Sequence, residues 1–317
     1  MIRLGSGDYT YEELEAWSDL PAGWEYRDVV DVAVDADDRV YVFNRGGHPV
    51  VVFEADGTYV GSWGEGLFTR PHGLTVADEP PHGQVFFWVD DQGHWIGKFS
   101  LDGVLLMQIG ERDRGAPARS GAPFNQPTKM ALDPQGEHLY IADGYGNARV
   151  HKYSAAGEHI LSWGEYGLDP GQFNFPHSVC TDAAGKVYVA DRENHRIQVF
   201  DPDGQFLDKW DGLHRACGLH IAGDTVYVGQ ILTHLSVNQG DPNLGACVTV
   251  HDLQGRRLAR LGADLPGEGP GQFTAPHSIA VDSRGDLYVG EVAWSAYGRL
   301  QEPAKEGVRC LRKLVRR

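Results

Sequence analysis

Three histidines stand out because each directly follows a proline in a similar local sequence. They are His72, His177 and His277, in the segments Pro-His-Gly-Leu, Pro-His-Ser-Val and Pro-His-Ser-Ile. Their separations are 105 and 100 residues. Three imidazole nitrogens with a fourth position left open form a common catalytic zinc site. The pattern therefore predicts a site for Zn²⁺ or another divalent transition metal, provided that the fold brings the rings together.

A repeating sequence pattern predicts such a fold. Its clearest copy, residues 175–204, reads as a strand, an Asp-x-x-Gly turn, a β-branched strand, a loop and a third alternating strand. The pattern recurs six times, or about once per 53 of the 317 residues. Four short antiparallel strands per copy are typical of a β-propeller blade. The sequence therefore predicts an all-β, six-bladed β-propeller that forms a single domain over residues 1–317.

The last predicted blade lacks an obvious fourth strand. We expect an N-terminal strand that contains Glu12–Trp17 to close the ring there and to remove an exposed sheet edge. The predicted blades cover residues 28–66, 70–111, 126–165, 175–211, 215–262 and 275–317.

The three histidines occupy the same point in alternate blades, at the entrance to the first strand. The intervening blades carry Val30, Thr128 and Cys217 there. Alternate blades of a six-bladed ring stand 120° apart, so we expect the imidazoles to converge on its axis. The competing interpretation is that Pro-His is only a structural consensus of the repeat. The other eleven histidines have no counterparts between blades and are expected at the surface or in turns.

The repeat resembles the NHL family from about residue 28 onward. Several dispersed segments also resemble the peptidyl-α-hydroxyglycine α-amidating lyases, which cleave a carbinolamide to an amide and glyoxylate. These segments are residues 44–46, 71–74, 143–149, 176–178, 190–194 and 276–277.

By this resemblance, the three histidines would hold zinc and Tyr145 would remove the proton of the substrate hydroxyl. Arg45 and Arg192 would bind a carboxylate or developing charge. Nearby cations favour a phenolate over a phenol, and a guanidinium can bind both oxygens of a carboxylate. Each residue also has a structural alternative: Tyr145 as a packing aromatic, Arg45 in a salt bridge between blades, and Arg192 in a stabilised turn.

Four polar residues at equivalent loop positions are expected to be structural. They are predicted to accept hydrogen bonds from backbone amides in turns. They are Asn44, Asp143, Asp191 and Glu291.

The chain departs from the lyase pattern at Ser278, where the lyases have an aspartate that binds a structural Ca²⁺. Losing the charged ligand weakens the case for calcium here. The N-terminal sequence lacks an apolar signal core, and the four cysteines are scattered. We therefore expect a cytoplasmic enzyme acting on a small carbinolamide that bears a carboxylate or amide.

Two other functions stay open from the sequence. A zinc-dependent hydrolase of an amide, ester or lactone would need the same histidines, and an NHL scaffold that binds proteins would need none. The chain has 44 acidic and 28 basic residues, a net charge of −16. This balance argues against nucleic acids and anionic membranes as partners. The residues do not predict the oligomeric state.

Overall fold

The computed structural model describes residues 2–79, 83–238, 240–242 and 244–317. Its regular structure is almost entirely antiparallel β-sheet, in six sheets of four or five strands. The predicted fold class, a six-bladed β-propeller, is confirmed. The chain divides into two compact units, the terminal unit (Met1–Glu65 with Cys217–Arg317) and the middle unit (Gly66–Ala216).

The N-terminal part of the terminal unit contains a hairpin and one four-stranded blade. Its strands are β1 (Arg3–Ser6), β2 (Tyr9–Glu13), β3 (Val29–Val34), β4 (Val40–Asn44), β5 (Val50–Phe53) and β6 (Tyr59–Trp63).

The middle unit contains three blades, each a meander of four sequential strands. The strands are β7 (Pro71–Glu79), β8 (Gly83–Asp90), β9 (Trp95–Ser100), β10 (Leu105–Ile109), β11 (Lys129–Leu132), β12 (His138–Asp143), β13 (Arg149–Ser154), β14 (His159–Trp163), β15 (Pro176–Thr181), β16 (Val187–Asp191), β17 (Arg196–Phe200) and β18 (Phe206–Asp211). A 3₁₀ turn, Arg192–Asn194, follows β16.

The C-terminal part of the terminal unit supplies the remaining two blades. Its elements are β19 (Ala216–Ala222), β20 (Thr225–Gln230), a 3₁₀ turn (Ser236–Asn238), β21 (Cys247–Asp252), β22 (Arg257–Leu261), β23 (Pro276–Val281), β24 (Leu287–Glu291), the short helix α1 (Ala293–Ala296), a second 3₁₀ turn (Gly298–Leu300) and β25 (Leu311–Arg316). All four cysteines are free thiols. Across the described residues, no helix has both the length and the apolar character needed to cross a lipid bilayer.

The Asp-x-x-Gly turns join the first and second strands as the sequence predicts. In the turn between β15 and β16, one carboxylate oxygen of Asp182 accepts the backbone N–H groups of Ala184 and Lys186. Gly185 adopts φ +83°, a left-handed conformation that favours glycine. The second strands are short β-branched and aromatic runs, and their residues are buried in the sheet packing of each unit.

The last blade is completed by N-terminal strands, as predicted, but the residues differ. Strand β2 pairs with β25, and β1 adds a fifth strand outside it. Only the first two residues of the predicted segment, Glu12 and Glu13, lie in the strand. Trp17 instead packs its ring against Phe53 and Tyr288, so the chain must leave the sheet before it.

Ion pairs hold the basic C-terminal strand to the N-terminal one. Arg312 is 2% exposed and lies between the carboxylates of Glu13 and Glu291. Arg309 also contacts Glu13, at 2.8 Å. The run of basic residues at the C terminus is therefore partly a buried, charge-compensated strand.

We predict that Glu13→Gln destabilises the fold by about 1.5–3 kcal/mol, because it removes a charged hydrogen-bond acceptor from a buried arginine. Glu12→Gln is the matched control on the same strand. Its partners Arg3 and Arg317 have side chains that are 73% and 44% exposed, so we expect little change. Urea unfolding followed by circular dichroism measures both, and equal effects would contradict the buried-pair argument.

Candidate metal and catalytic site

Each of the three predicted metal ligands is the extra residue of a β-bulge. The register of β7 against β8 shifts between Pro71 and Gly73, so His72 faces no residue of the partner strand. The same shift occurs around His177 in β15 and around His277 in β23. A bulge redirects one side chain out of the alternating pattern of a strand, and proline is tolerated as a first strand residue.

Carboxylates at the ends of the second strands fix the segments that lead into these bulges. Asp90 accepts the backbone N–H groups of Thr69 and Arg70, at 2.6 and 2.8 Å. Asp191 accepts that of Asn174 at 2.6 Å. Each acceptor carboxylate belongs to the strand that pairs with the histidine strand, so it sets where the bulge begins.

The four predicted turn residues all accept backbone hydrogen bonds as expected, but only Asn44 does so within its own turn, whereas the three acidic residues hold a segment that lies earlier in the chain. Besides Asp191, Glu291 accepts N–H groups of Thr274 and Ala275. The other two pairs are Asp143 with the N–H of Asn125 and Asn44 with the N–H of Gly46.

The middle unit brings two of the histidines together around Tyr145. The hydroxyl oxygen of Tyr145 lies 3.0 Å from Nε2 of His72 and 3.0 Å from Nε2 of His177. Both imidazoles are 2% exposed, and their ligand atoms lie within 4.8 Å of each other. Tyr145 follows β12, in the loop after the second strand where the sequence places it.

Hydrogen bonds at Nδ1 set the tautomer of two histidines. Nδ1 of His72 lies 2.7 Å from the carbonyl oxygen of Thr128. Because a carbonyl only accepts, Nδ1 carries the proton and Nε2 of the neutral ring presents a lone pair. In the terminal unit, His277 repeats this arrangement, with Nδ1 2.7 Å from the carbonyl oxygen of Val30. A metal-ligating imidazole is held in this way by its other nitrogen.

The donor set in the middle unit fits a small cation. Tyr145 has one hydroxyl proton and therefore donates to only one of the two Nε2 atoms near its oxygen. Buried imidazole nitrogens are ligands that Zn²⁺ accepts, and the Tyr145 hydroxyl lies within hydrogen-bonding distance of both of them.

Arg192 lies beside this group. Its Nη1 is 3.5 Å from the hydroxyl oxygen of Tyr145, and its Cζ is 5.4 Å from the centroid of the Tyr145 ring. Its Nε donates to Glu193 at 2.8 Å, and Glu193 also pairs with Arg215 at 2.9 Å. Burial alone would raise the pKa of Glu193, but the hydrogen bond from Arg215 and the charges of both arginines outweigh it and lower the pKa to about 2.

Phe175 shows local backbone strain near the same residues. It adopts φ +62° immediately before Pro176, in the left-handed region that non-glycine residues rarely occupy. Its ring lies 6.1 Å from that of Tyr145, and the Arg192 Cζ lies 5.5 Å from it. Its carbonyl oxygen accepts the backbone N–H of Arg192. The strained residue therefore connects the segment before His177 to the segment that carries Arg192.

Arg45 is placed in the terminal unit, directly after β4. Its Nη1 lies 3.5 Å from the Asp28 carboxylate, which is buried and also bonds Ser295. Because Asp28 directly precedes β3 and Arg45 directly follows β4, this pair joins the start of the first strand to the end of the second strand of one blade. Arg45 also lines a cleft of about 270 Å³ whose walls include Tyr26 and Trp294.

Sequence reasoning missed Arg70 and placed some histidines wrongly. Arg70 precedes Pro71, and its guanidinium lies over the ring of Tyr145. The available signal was its charge, since Phe175 and Ala275 precede the other two Pro-His pairs.

His151 is fully buried rather than exposed, because it lies on β13 and contacts the buried Asp143 carboxylate at 3.1 Å.

A buried strand also carries another of the histidines that were expected at the surface. His251 on β21 is buried and contacts Thr249 and the Gly255 carbonyl. Burial lowers the pKa of its imidazole. A core histidine of this kind is satisfied by hydrogen bonds and needs no functional role.

Comparison with known proteins places the chain in a family. The NHL repeat model matches residues 124–153 and 173–200. The chain is 33% identical over 281 residues to NHL repeat-containing protein 3 of Mus musculus, covering 82% of this chain and 76% of that protein. The chain therefore belongs to the NHL repeat family of β-propeller proteins.

An enzyme is among its relatives. The chain is 32% identical over 257 residues to peptidyl-alpha-hydroxyglycine alpha-amidating lyase 1 of Drosophila melanogaster. The match covers 73% of this chain and 44% of that protein. Among solved structures, a nidogen/laminin complex matches with a TM-score of 0.62 at 16% identity, covering 88% of this chain and 96% of that one. At that identity the likeness shows the fold alone.

We predict that Glu193→Gln destabilises the protein above pH 5 but not near pH 2. A carboxyl whose pKa is lowered by folding, from 4.5 to about 2, contributes stability above its unfolded pKa and loses it as the pH falls through the folded pKa. After allowance for solvent screening we expect an effect on the order of 2 kcal/mol at neutral pH. Chemical unfolding of both proteins across this pH range measures it, and a difference that persists at pH 2 would contradict the assignment.

Proposed function

We propose that the chain is a metal-dependent carbon–nitrogen lyase that cleaves a small carbinolamide to an amide and an aldehyde or glyoxylate. The observation that carries the proposal is the placement of the Tyr145 hydroxyl 3.0 Å from Nε2 of both His72 and His177. The relatives that are named as amidating lyases support this class of reaction.

His72, His177 and His277 are the proposed ligands of Zn²⁺ or another divalent transition metal. The support is that all three are bulge residues after a proline, and that Nδ1 of His72 and His277 donates to a backbone carbonyl in the same way. When bound, the metal supplies a Lewis acid that stabilises negative charge on an oxygen. A structural Ca²⁺ is not part of the proposal.

Tyr145 is the proposed base. As a phenolate it takes the proton of the carbinol hydroxyl, the carbon–oxygen bond becomes a carbonyl, and the carbon–nitrogen bond breaks. The same proton then passes to the departing amide nitrogen, so that no water is consumed. Arg192, 3.5 Å from the phenol oxygen, favours its ionised form.

Arg45 is proposed to bind the substrate carboxylate, following the resemblance to the lyases. The proposed substrate is a small molecule, and the proposed location is the cytoplasm. Neither nucleic acid nor a membrane surface is a proposed partner, because the net charge is −16.

We predict about one zinc ion per purified chain, lost in each of His72→Ala, His177→Ala and His277→Ala because two imidazoles hold the ion less firmly than three. His159→Ala, at an exposed histidine on β14, is the control and should keep its metal. Elemental analysis measures the metal, and circular dichroism checks that each variant is folded. Metal-free protein that still turns over substrate would exclude a metal-dependent mechanism for both the lyase and the hydrolase.

We predict that Tyr145→Phe keeps its metal but loses about 10²- to 10⁴-fold in kcat on an N-acyl-α-hydroxyglycine, because it removes the base. Tyr166→Phe, at a 54% exposed tyrosine of the same unit, is the control and should retain activity. Near wild-type turnover in Tyr145→Phe would show that this residue is not the base.

The same reaction carried out in ¹⁸O water separates lyase from hydrolase. A lyase consumes no water, so the amide product is free of ¹⁸O. Solvent oxygen in a product acid would instead identify a hydrolase. If the protein turns over neither kind of substrate, the non-enzymatic scaffold is the better explanation.

A further inference from the structure

A second guanidinium lies beside Tyr145 and has no role in the proposed reaction. The Cζ atom of Arg70 is 5.6 Å from the ring centroid of Tyr145, close to the 5.4 Å of Arg192. Arg70 also precedes Pro71 and His72 directly in the chain. The other two Pro-His pairs follow an uncharged residue, so this cation belongs to one blade alone.

A buried carboxylate holds this guanidinium in place. Nε of Arg70 lies 2.7 and 2.9 Å from the two oxygens of Asp91, and Nη2 also donates to Asp91. The Asp91 side chain is 0% exposed, whereas that of Arg70 is 33% exposed. The backbone N–H of Arg70 is held by Asp90. Arginine fixed in this way loses little conformational freedom when a ligand binds.

One edge of the Arg70 guanidinium remains for a ligand. The Asp91 carboxylate accepts hydrogen bonds from Nε and Nη2. Among the residues that the structure describes, none accepts a hydrogen bond from Nη1 of Arg70. An arginine side chain that is one third exposed and lies beside the proposed base is well suited to a carboxylate, since charge-assisted hydrogen bonds are stronger than neutral ones.

We propose that Arg70 is a specificity-determining residue that binds the carboxylate of the substrate beside Tyr145. The inference rests on the proposed function for the identity of the reacting group, and it adds Arg70 to Arg45 rather than replacing it. It means that the site selects carbinolamides with a free acid on the reacting carbon over the corresponding esters or amides.

The test measures binding of two inert analogues to the full-length, metal-containing protein by isothermal titration calorimetry. Hippurate carries the carboxylate and hippuramide does not. Both lack the hydroxyl group and are not turned over, so the result does not depend on lyase activity. We expect the wild-type protein to prefer hippurate by about 10-fold or more.

Removing Arg70 alone would leave the Asp91 charge buried without its partner, which we expect to destabilise the protein, so the main variant is Arg70→Met/Asp91→Leu. We expect it to bind hippurate about 10- to 100-fold more weakly, with hippuramide unchanged. The affinity of Arg70→Lys for hippurate should fall between those of the wild-type protein and the double variant. Arg112→Met is the matched control, because Arg112 also stacks on an aromatic ring, that of Trp95, without contacting Tyr145.

Two results would overturn the inference. One is a wild-type protein that binds both analogues equally. The other is a double variant that keeps its preference for hippurate, even if its melting temperature changes, since the pair would then be structural only. A carboxylate preference that requires Arg70 in a protein without lyase activity would refute the proposed function and leave this inference standing.

Discussion

A buried carboxylate at the end of the second strand holds the segment that leads to the candidate metal ligand of a blade. Asp90, Asp191 and Glu291 each accept backbone N–H groups from the residues that enter the neighbouring first strand. Burying such a charge is costly unless it is hydrogen-bonded, so these contacts cannot be loosened without penalty. Because the held segment leads directly into Pro-His, the carboxylate fixes the bulge and hence the imidazole.

Charge around Tyr145 is compensated but not cancelled. Arg70 is paired with Asp91 alone, and that pair is neutral as a whole. Glu193, in contrast, is shared between Arg192 and Arg215, so this group of three keeps one positive charge. The positive member nearest the phenol oxygen is Arg192. A net positive charge beside the phenol oxygen is what the proposed role of Tyr145 as a base requires.

The repeats and their spacing were enough to predict the fold and most residues of the candidate site, because both depend on position within a blade. Equivalent positions give equivalent backbone environments, so the repeat shows which Pro-His segments and which acidic residues correspond between blades. Contacts between side chains far apart in sequence cannot be predicted in this way. The contacts of His151 with Asp143 and of Arg70 with Tyr145 do not produce a repeating pattern in the sequence. Trp17 likewise leaves its predicted strand for a tertiary reason, its packing on Tyr288.

The fold alone does not separate an enzyme from a scaffold, since propellers serve both. The Tyr145 hydroxyl can donate to the Nε2 lone pair of His72 while its oxygen accepts from Nε2 of His177, so these hydrogen bonds are satisfied without a cation. An enzyme of the proposed kind uses the same placement in a further way, because the nitrogens that would hold the metal lie next to the phenol that would act as the base.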